Sequence, residues 1–377
     1  MHMRNGEKKI LVVIGTRPEA IKMAPVILQL KKEFNVLVCI TTQHREMLHS
    51  VLRLFAIKPD FDLDIMEPKQ DLFTITNKIL LGVKDILNQV KPDIILVHGD
   101  TTTAMVTAMA AFYLQLPVGH VEAGLRTYDI YSPFPEEFNR QVIGKIAKFH
   151  FAPTEYAQNN LLYEKITKDK IFITGNTVID ALLSIVEQTR TISFQHILNE
   201  KFPFLSENKK IILVTGHRRE NFGKGFQEIC YALREVARQR VNLNIVYPVH
   251  LNPNVREPVN KILTDIKNIY LIEPLDYIDF VAFMDKAYLI LTDSGGVQEE
   301  APSLGKPVLV MREITERVEA VEAGTVELIG TAKEKIIKRT LALCDYPALY
   351  NKMAYSHNPY GDGLASKRIC SVLKECL

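Results

Sequence analysis

The sequence predicts an α/β fold of two parallel sheets, each covered by helices on both faces. Three observations predict it. Short, continuous apolar runs alternate with longer segments of helical spacing, the pattern of strands buried on both faces. That rhythm breaks once, in the weakly patterned stretch 184–210, and then restarts. The 377 residues also fit two domains at about 100–200 residues each.

In the first half, Lys9–Gly15 reads as a buried strand. Glu19–Lys32 follows as a helix with Ile21, Ala24, Ile27 and Leu28 at helical spacing. Val36–Thr41 is a second strand, Arg45–Phe55 a helix, Leu72–Val90 a longer helix and Ile94–His98 a third strand. Thr102–Leu116 is helical, Val118–Val121 is a short strand after Pro117, and Glu136–Ala147 is helical. Phe149–Ala152 and Ile171–Thr174 complete the run as strands. In the second half Ile211–Thr215, Leu243–Pro248, Ile269–Ile272, Leu289–Thr292 and Val308–Met311 are strands, with Gly225–Arg240 and further helices between them. The pattern does not say on which half the last helix, Gly363–Cys376, packs. The expected architecture is two Rossmann-like, doubly wound domains, whose ligands bind outside the carboxyl ends of the strands.

Composition excludes several classes. Hydrophobic residues at 47% and charged residues at 24% are ordinary for a globular chain, so a disordered one is excluded. The net charge is +2 with no basic stripe, which argues against a nucleic-acid partner. Five cysteines are scattered without a C-x-x-C, so neither a disulfide framework nor a zinc ribbon is expected, and a reducing cytoplasm suits the chain. Met1–Lys9 contains no apolar run, which predicts no secretory signal. Thr101–Gly119 carries no charge, but its three threonines, Gln115 and Pro117 fit a buried helix running into a buried strand better than a membrane span. His44 and His49 are five apart, not the four of H-E-x-x-H, so no metal site is read there. No G-x-G-x-x-G and no G-x-x-x-x-G-K-[ST] occurs, so neither a dinucleotide cofactor nor a P-loop is supported.

The chemically distinctive residues lie just after strands. Arg17 in Gly15-Thr16-Arg17-Pro18-Glu19 sits at a helix start, a plausible anion contact, with a solvated turn as the alternative. Pro18 suits a first helical turn. Asp100, in His98-Gly99-Asp100-Thr101-Thr102, is placed as an N-cap. Glu122, in His120-Val121-Glu122-Ala123-Gly124-Leu125-Arg126, either faces a cleft or pairs with Arg126. Glu136 opens a helix, where acids favour the positive end of the dipole. Three acids on one rim suit acid–base chemistry. In the second half, His217, Arg218 and Arg219 form a candidate diphosphate grip, with a solvated basic loop as the alternative. Ser294, Gly295 and Gly296 can offer backbone N–H groups to an anion, and Glu300 could take ribose hydroxyls. His250 follows a strand end and is either a site residue or a loop cap. A nucleoside diphosphate is the leading ligand.

Read together, and with Ile173-Thr174-Gly175-Asn176-Thr177-Val178-Ile179-Asp180 and Asn358-Pro359-Tyr360-Gly361-Asp362-Gly363, these motifs resemble the bacterial non-hydrolysing UDP-N-acetylglucosamine 2-epimerases from about Ile10 to the C-terminus. The resemblance implies a GT-B-type fold, two Rossmann-like domains facing across a deep cleft. Residues 1–180 would form the first domain, with helix 360–377 packing back on it, and 181–359 the UDP-binding second. It implies a cytoplasmic homodimer that interconverts UDP-GlcNAc and UDP-ManNAc for cell-envelope polysaccharide, without cofactor or metal. The route would be elimination of UDP to a 2-acetamidoglucal and its re-addition. Asp100, Glu122 and Glu136 would be the catalytic carboxylates, with His217 at the leaving diphosphate. Arg17, Ser294, Gly295 and Gly296 would hold phosphates, Glu300 the ribose, Phe280 would lie near the uracil, and Lys22 would join the site. A second, activating UDP-GlcNAc would meet Gln43, Glu46, Lys69, Glu136, Arg218 and His250. Glu46 and Lys69 replace a Gln and an Arg of other members, and Lys clamps phosphate less well than Arg. Val318 stands where the family has Pro, which adds a backbone N–H and predicts modest loop loosening. A hydrolysing 2-epimerase, a retaining glycosyltransferase and a catalytically dead UDP-sugar sensor are the competing readings. The hydrolysing enzymes tend to lack Pro18 and the Ala-Gly-Leu-Arg run, both present here.

Overall fold

The structure is a computed structural model that describes residues 8–42, 45–67 and 70–377. It divides into two units, 1–181 with 360–377, and 182–359. The first holds a seven-stranded parallel sheet of β1 (Lys9–Ile14), β2 (Asn35–Ile40), β3 (Phe61–Asp62), β4 (Ile94–His98), β5 (Val118–Val121), β6 (Phe149–Ala152) and β7 (Ile171–Ile173). Its strand order is β3-β2-β1-β4-β5-β6-β7. The second holds a six-stranded parallel sheet of β8 (Lys210–Thr215), β9 (Leu243–Pro248), β10 (Ile269–Ile272), β11 (Leu289–Thr292), β12 (Val308–Val310) and β13 (Val326–Leu328), ordered β10-β9-β8-β11-β12-β13. Each order reverses once, between β1 and β4 in the first sheet and between β8 and β11 in the second. Such a reversal opens a crevice at the carboxyl ends of the two central strands.

Helical periodicity positions the layers. Helix Leu72–Val90 buries Ile75, Ile79, Val83, Ile86, Leu87 and Val90, an i, i+3/i+4 stripe laid on the first sheet's core. Helix Lys224–Gln239 does the same in the second unit with Phe226, Ile229, Cys230, Leu233, Val236 and Ala237. Each Val, Leu, Ile or Phe side chain of these stripes contributes about 1.5–3 kcal/mol on burial. Helix Arg17–Leu30 buries Ile21, Ala24 and Ile27, but Leu28 lies outside this stripe and is exposed. The reason is angular: one residue beyond Ile27 turns the side chain about 100° around the axis.

The uncharged stretch 101–119 is a helix, Thr102–Tyr113, that ends three residues earlier than its apolar run and leads into β5. Gln115, with φ of +56°, turns the chain there. Among the described residues no helix is long and apolar enough to cross a membrane. The weakly patterned 184–210 stretch is largely helical, and helix Thr177–Thr189 spans the boundary between units. The last helix, Ala365–Cys376, packs against helix Arg17–Leu30.

Gly124, just past β5, has φ of +94°, and a Cβ there would overlap the Ala157 carbonyl oxygen. Both the torsion and the space therefore require glycine. Gly124→Ala is expected to cost about 3 kcal/mol. Urea unfolding checks it, as a lower midpoint at unchanged slope.

Candidate functional site

The carboxyl ends of β1, β4 and β5 surround a cavity of about 490 Å³, whose lining includes Arg17, Lys22, His98, Asp100 and Glu122. Helix Arg17–Leu30 begins at this rim through a capping box. The Thr16 hydroxyl accepts from Glu19 N–H, and the Glu19 carboxylate accepts from the backbone N–H groups of Gly15 and Thr16 at 2.9 and 2.7 Å. Pro18 occupies the first turn. Glu19 also accepts the Thr101 hydroxyl at 2.7 Å, which ties the turn after β1 to the turn after β4. Burial raises its carboxyl above the usual range, against those hydrogen bonds. The T-x-x-E spacing of Thr16 and Glu19 was the sequence signal for this clamp.

Asp100 is not the helix cap. Thr101 caps, accepting from Ala104 N–H at 3.1 Å, while Asp100 Oδ2 pairs with Arg140 at 2.5 Å. Both residue types cap well, but Arg140 draws the carboxylate away. Asn139 fixes the same loop by donating to the Asp100 carbonyl at 2.8 Å. Buried His120 holds the Gly99 carbonyl at 2.7 Å, so its Nε2 carries the proton. Burial pushes its imidazole down to about 3, keeping it neutral.

Glu122 does not pair with Arg126, which makes a two-nitrogen contact with Glu164 at 2.6 and 3.1 Å. Glu122 Oε2 meets the Lys22 ammonium and lies 3.4 Å from His98 Nε2. Burial pushes its carboxyl up, but attraction from Lys22 and His98 outweighs this and holds it well below the usual range. A carboxyl depressed on folding contributes stability fully above its unfolded value, about 4.3, and loses it as pH falls through the folded value. Glu122→Gln should therefore flatten the acid limb of thermal stability below about pH 4. Melting curves of both proteins check it; equally steep acid limbs would refute it. Glu136 is half-buried at the start of helix Glu136–Ile146, the helix that supplies Asn139 and Arg140, and is not part of the cavity lining.

In the second unit, His217 and Arg218 follow β8, and Asp293 to Gly296 follow β11, on the two sides of that sheet's reversal. Asp293 is fully buried and accepts from the backbone N–H groups of His217 and Arg218, each at 2.8 Å. The His217 ring stacks on His250, with centroids 5.5 Å apart and planes at 17°. Burial lowers His217, and so do Arg218 and His250, while Asp293 opposes them. His250 is exposed and also caps its loop, Nδ1 accepting from Asn252 N–H at 3.1 Å. Ser294 precedes helix Gly295–Glu300 without a side-chain cap bond. A Cβ on Gly295 would lie 3.2 Å from the Arg317 guanidinium, which itself pairs with Glu299 at 2.7 Å. Glu300 accepts from Tyr277 at 2.8 Å, and Phe280 is half-buried one helical turn from Tyr277.

Of the residues attributed to a second site, Arg218 follows His217 in the chain, His250 stacks on the His217 ring, Glu46 is exposed in the first unit, and Gln43 and Lys69 lie outside the described residues. Val318 begins the short helix Val318–Glu322 and is exposed. Sequence reasoning assigned no role to Glu19, His98, Arg140, Tyr277, Asp293 or Arg317.

Two doubly wound units, with titratable side chains gathered at both topological reversals, define a GT-B-type α/β protein. The family model described as UDP-N-acetylglucosamine 2-epimerase matches residues 27–374. The UDP-N-acetylglucosamine 2-epimerase of Salmonella typhimurium is 59% identical over 369 residues, 97% of this chain and 98% of that protein. The Escherichia coli K12 enzyme of the same name is 58% identical with the same coverage. The crystal structure of the Neisseria meningitidis UDP-GlcNAc 2-epimerase bound to UDP-GlcNAc superposes with a TM-score of 0.89 at 53% identity, covering 97% of this chain and 100% of that one. The chain belongs to the UDP-N-acetylglucosamine 2-epimerase family.

Proposed function

We propose that this protein interconverts UDP-GlcNAc and UDP-ManNAc without hydrolysis. The observation that carries the reading is one cavity that gathers Asp100, Glu122, Arg17 and Lys22 at the reversal of the first sheet. The C2 proton of the sugar is not α to a carbonyl, so its removal alone is too costly. Eliminating UDP in the same process lowers that cost: a carboxylate takes the C2 proton, the C1–O bond breaks, and its electron pair leaves with UDP. The product is a 2-acetamidoglucal, to which UDP adds back with protonation of C2 on the other face. Such a route needs carboxylates near C2 and donors at the departing diphosphate.

Asp100, Glu122 and Glu136 are the acid–base candidates. Arg140 orients Asp100, while Lys22 orients Glu122 and helps hold it ionised. His217, Arg17 and the 294–296 turn serve the diphosphate, Glu300 the ribose and Phe280 the uracil. Lys22 acts through Glu122. We extend the reading to a cytoplasmic homodimer supplying ManNAc for envelope polysaccharide. It includes a second UDP-GlcNAc bound by Gln43, Glu46, Lys69, Glu136, Arg218 and His250. The order of the chain supports a first domain of 1–180 with 360–377 and a second of 181–359.

Proton NMR with UDP-GlcNAc in D₂O, without added cofactor, tests it. UDP-ManNAc carrying deuterium at C2 is expected. Free ManNAc with UDP would replace the reading by the hydrolysing one. No turnover with saturable binding would replace it by a sensor or a transferase.

A further inference from the structure

Asp293 leaves the end of β11 with its carboxylate fully buried. Its two oxygens are used differently. Oδ2 is filled by the loop after β8: the His217 and Arg218 backbone N–H groups at 2.8 Å each and the Asn221 amide at 3.3 Å. Oδ1 accepts no hydrogen bond among the described residues, although it is shielded from solvent. It faces His217 Nδ1 at 3.4 Å. A buried carboxylate oxygen left without a donor is costly, and a small rotation of the His217 ring supplies one. The ring is otherwise 41% exposed, with its face on His250.

We infer that Asp293 is the positioning residue for His217, accepting Nδ1–H so that Nε2 points outward as the hydrogen-bond donor of the imidazolium to the departing diphosphate oxygen. This rests on placing His217 at that leaving group. The backbone bonds to Oδ2 fix where the loop sits, and the Oδ1 contact fixes which nitrogen carries the proton when the ring is neutral. It is the same division of labour by which a carboxylate orients a histidine in other active sites. The groups facing the ring are Asp293, Arg218 and His250. Of these only Asp293 favours the imidazolium, while Arg218 and His250 both disfavour it.

Nitrogen-15 NMR of ring-labelled full-length protein decides the matter, with His217 assigned by loss of its signals in His217→Gln. Neutral His217 is expected as the Nδ1–H tautomer. In Asp293→Asn its titration midpoint should fall by about one pH unit or more. The alkaline limb of kcat should fall with it, with KM changed less than about twofold. An Nε2–H tautomer in the parent protein, or a midpoint unmoved in Asp293→Asn, overturns the role of Asp293 while parent turnover still stands. A midpoint that moves while the turnover profile does not overturns the placing of His217 at the leaving group, and the inference with it. Should Asp293→Asn fail to fold, the tautomer of the parent decides alone.

Discussion

Glu122→Gln is expected to lower kcat for UDP-GlcNAc epimerisation by about 10²–10⁴-fold, the span general acid–base groups contribute, while UDP binding is retained. Glutamine keeps the size and one carbonyl oxygen, so the cavity keeps its shape. What is lost is the negative charge, and the local structure is organised around it. Glu122 adopts φ of +63°, a left-handed conformation that a side chain-bearing residue rarely holds, at the first position after β5. Strain of that kind costs on the order of 1–3 kcal/mol and persists where surrounding contacts over-determine it. Here those contacts are Lys22, brought from a position 100 residues away, and His98 from the neighbouring strand end. The strain therefore aims a carboxylate, held ionised by Lys22, into the cavity. Steady-state kinetics with UDP calorimetry as the binding control checks the prediction; a loss below tenfold with normal UDP affinity would remove Glu122 from the chemistry.

The fold was legible where burial imposes a period. The core stripe from Ile75 to Val90 gave the helix Leu72–Val90 its observed ends. β3 and β13 escaped because Phe61-Asp62 and Val326-Glu327-Leu328 are short and interrupted by an acid, whereas the equally short edge strand β7 is the apolar run Ile171–Ile173. That distinctive residues of the first unit would gather past the strand ends was legible as well, because doubly wound sheets open a crevice there. Their pairings were not. Lys22 with Glu122 and Arg140 with Asp100 join residues 100 and 40 positions apart, and nothing local predicts such partners. Local chemistry pointed instead to the nearest plausible roles, Arg126 for Glu122 and a cap for Asp100. Roles such as ribose or uracil contact came from resemblance, since no spacing distinguishes a sugar hydroxyl from any other donor.

Asp180→Ala is expected to loosen the first unit through its last helix, at a cost of about 3 kcal/mol. Asp180 is buried in helix Thr177–Thr189, and its carboxylate accepts the Ala365 N–H at 3.1 Å, the Ser366 N–H at 2.8 Å and the Ser366 hydroxyl at 2.5 Å. These are the first-turn donors of helix Ala365–Cys376, whose own preceding residue, Leu364, offers no side-chain cap. A carboxylate from a position 185 residues away thus satisfies the helix start and favours its positive dipole end. Alanine would leave three buried donors without partners, each worth about 1–3 kcal/mol, partly offset by water entry as the helix frays. Ile369, Cys370 and Leu373 are the buried face of that helix. Their amides should exchange about 100-fold faster in the variant, the factor that about 3 kcal/mol of local stability implies; unchanged protection would refute the cap. The consequence reaches the cavity, because the last helix packs on the helix that begins at Arg17 and carries Lys22. A less firmly backed helix holds the Lys22–Glu122 pair less well, so kcat should fall together with protection. Asp180→Asn, which keeps one acceptor oxygen, should fall between the parent and the alanine variant in both readouts.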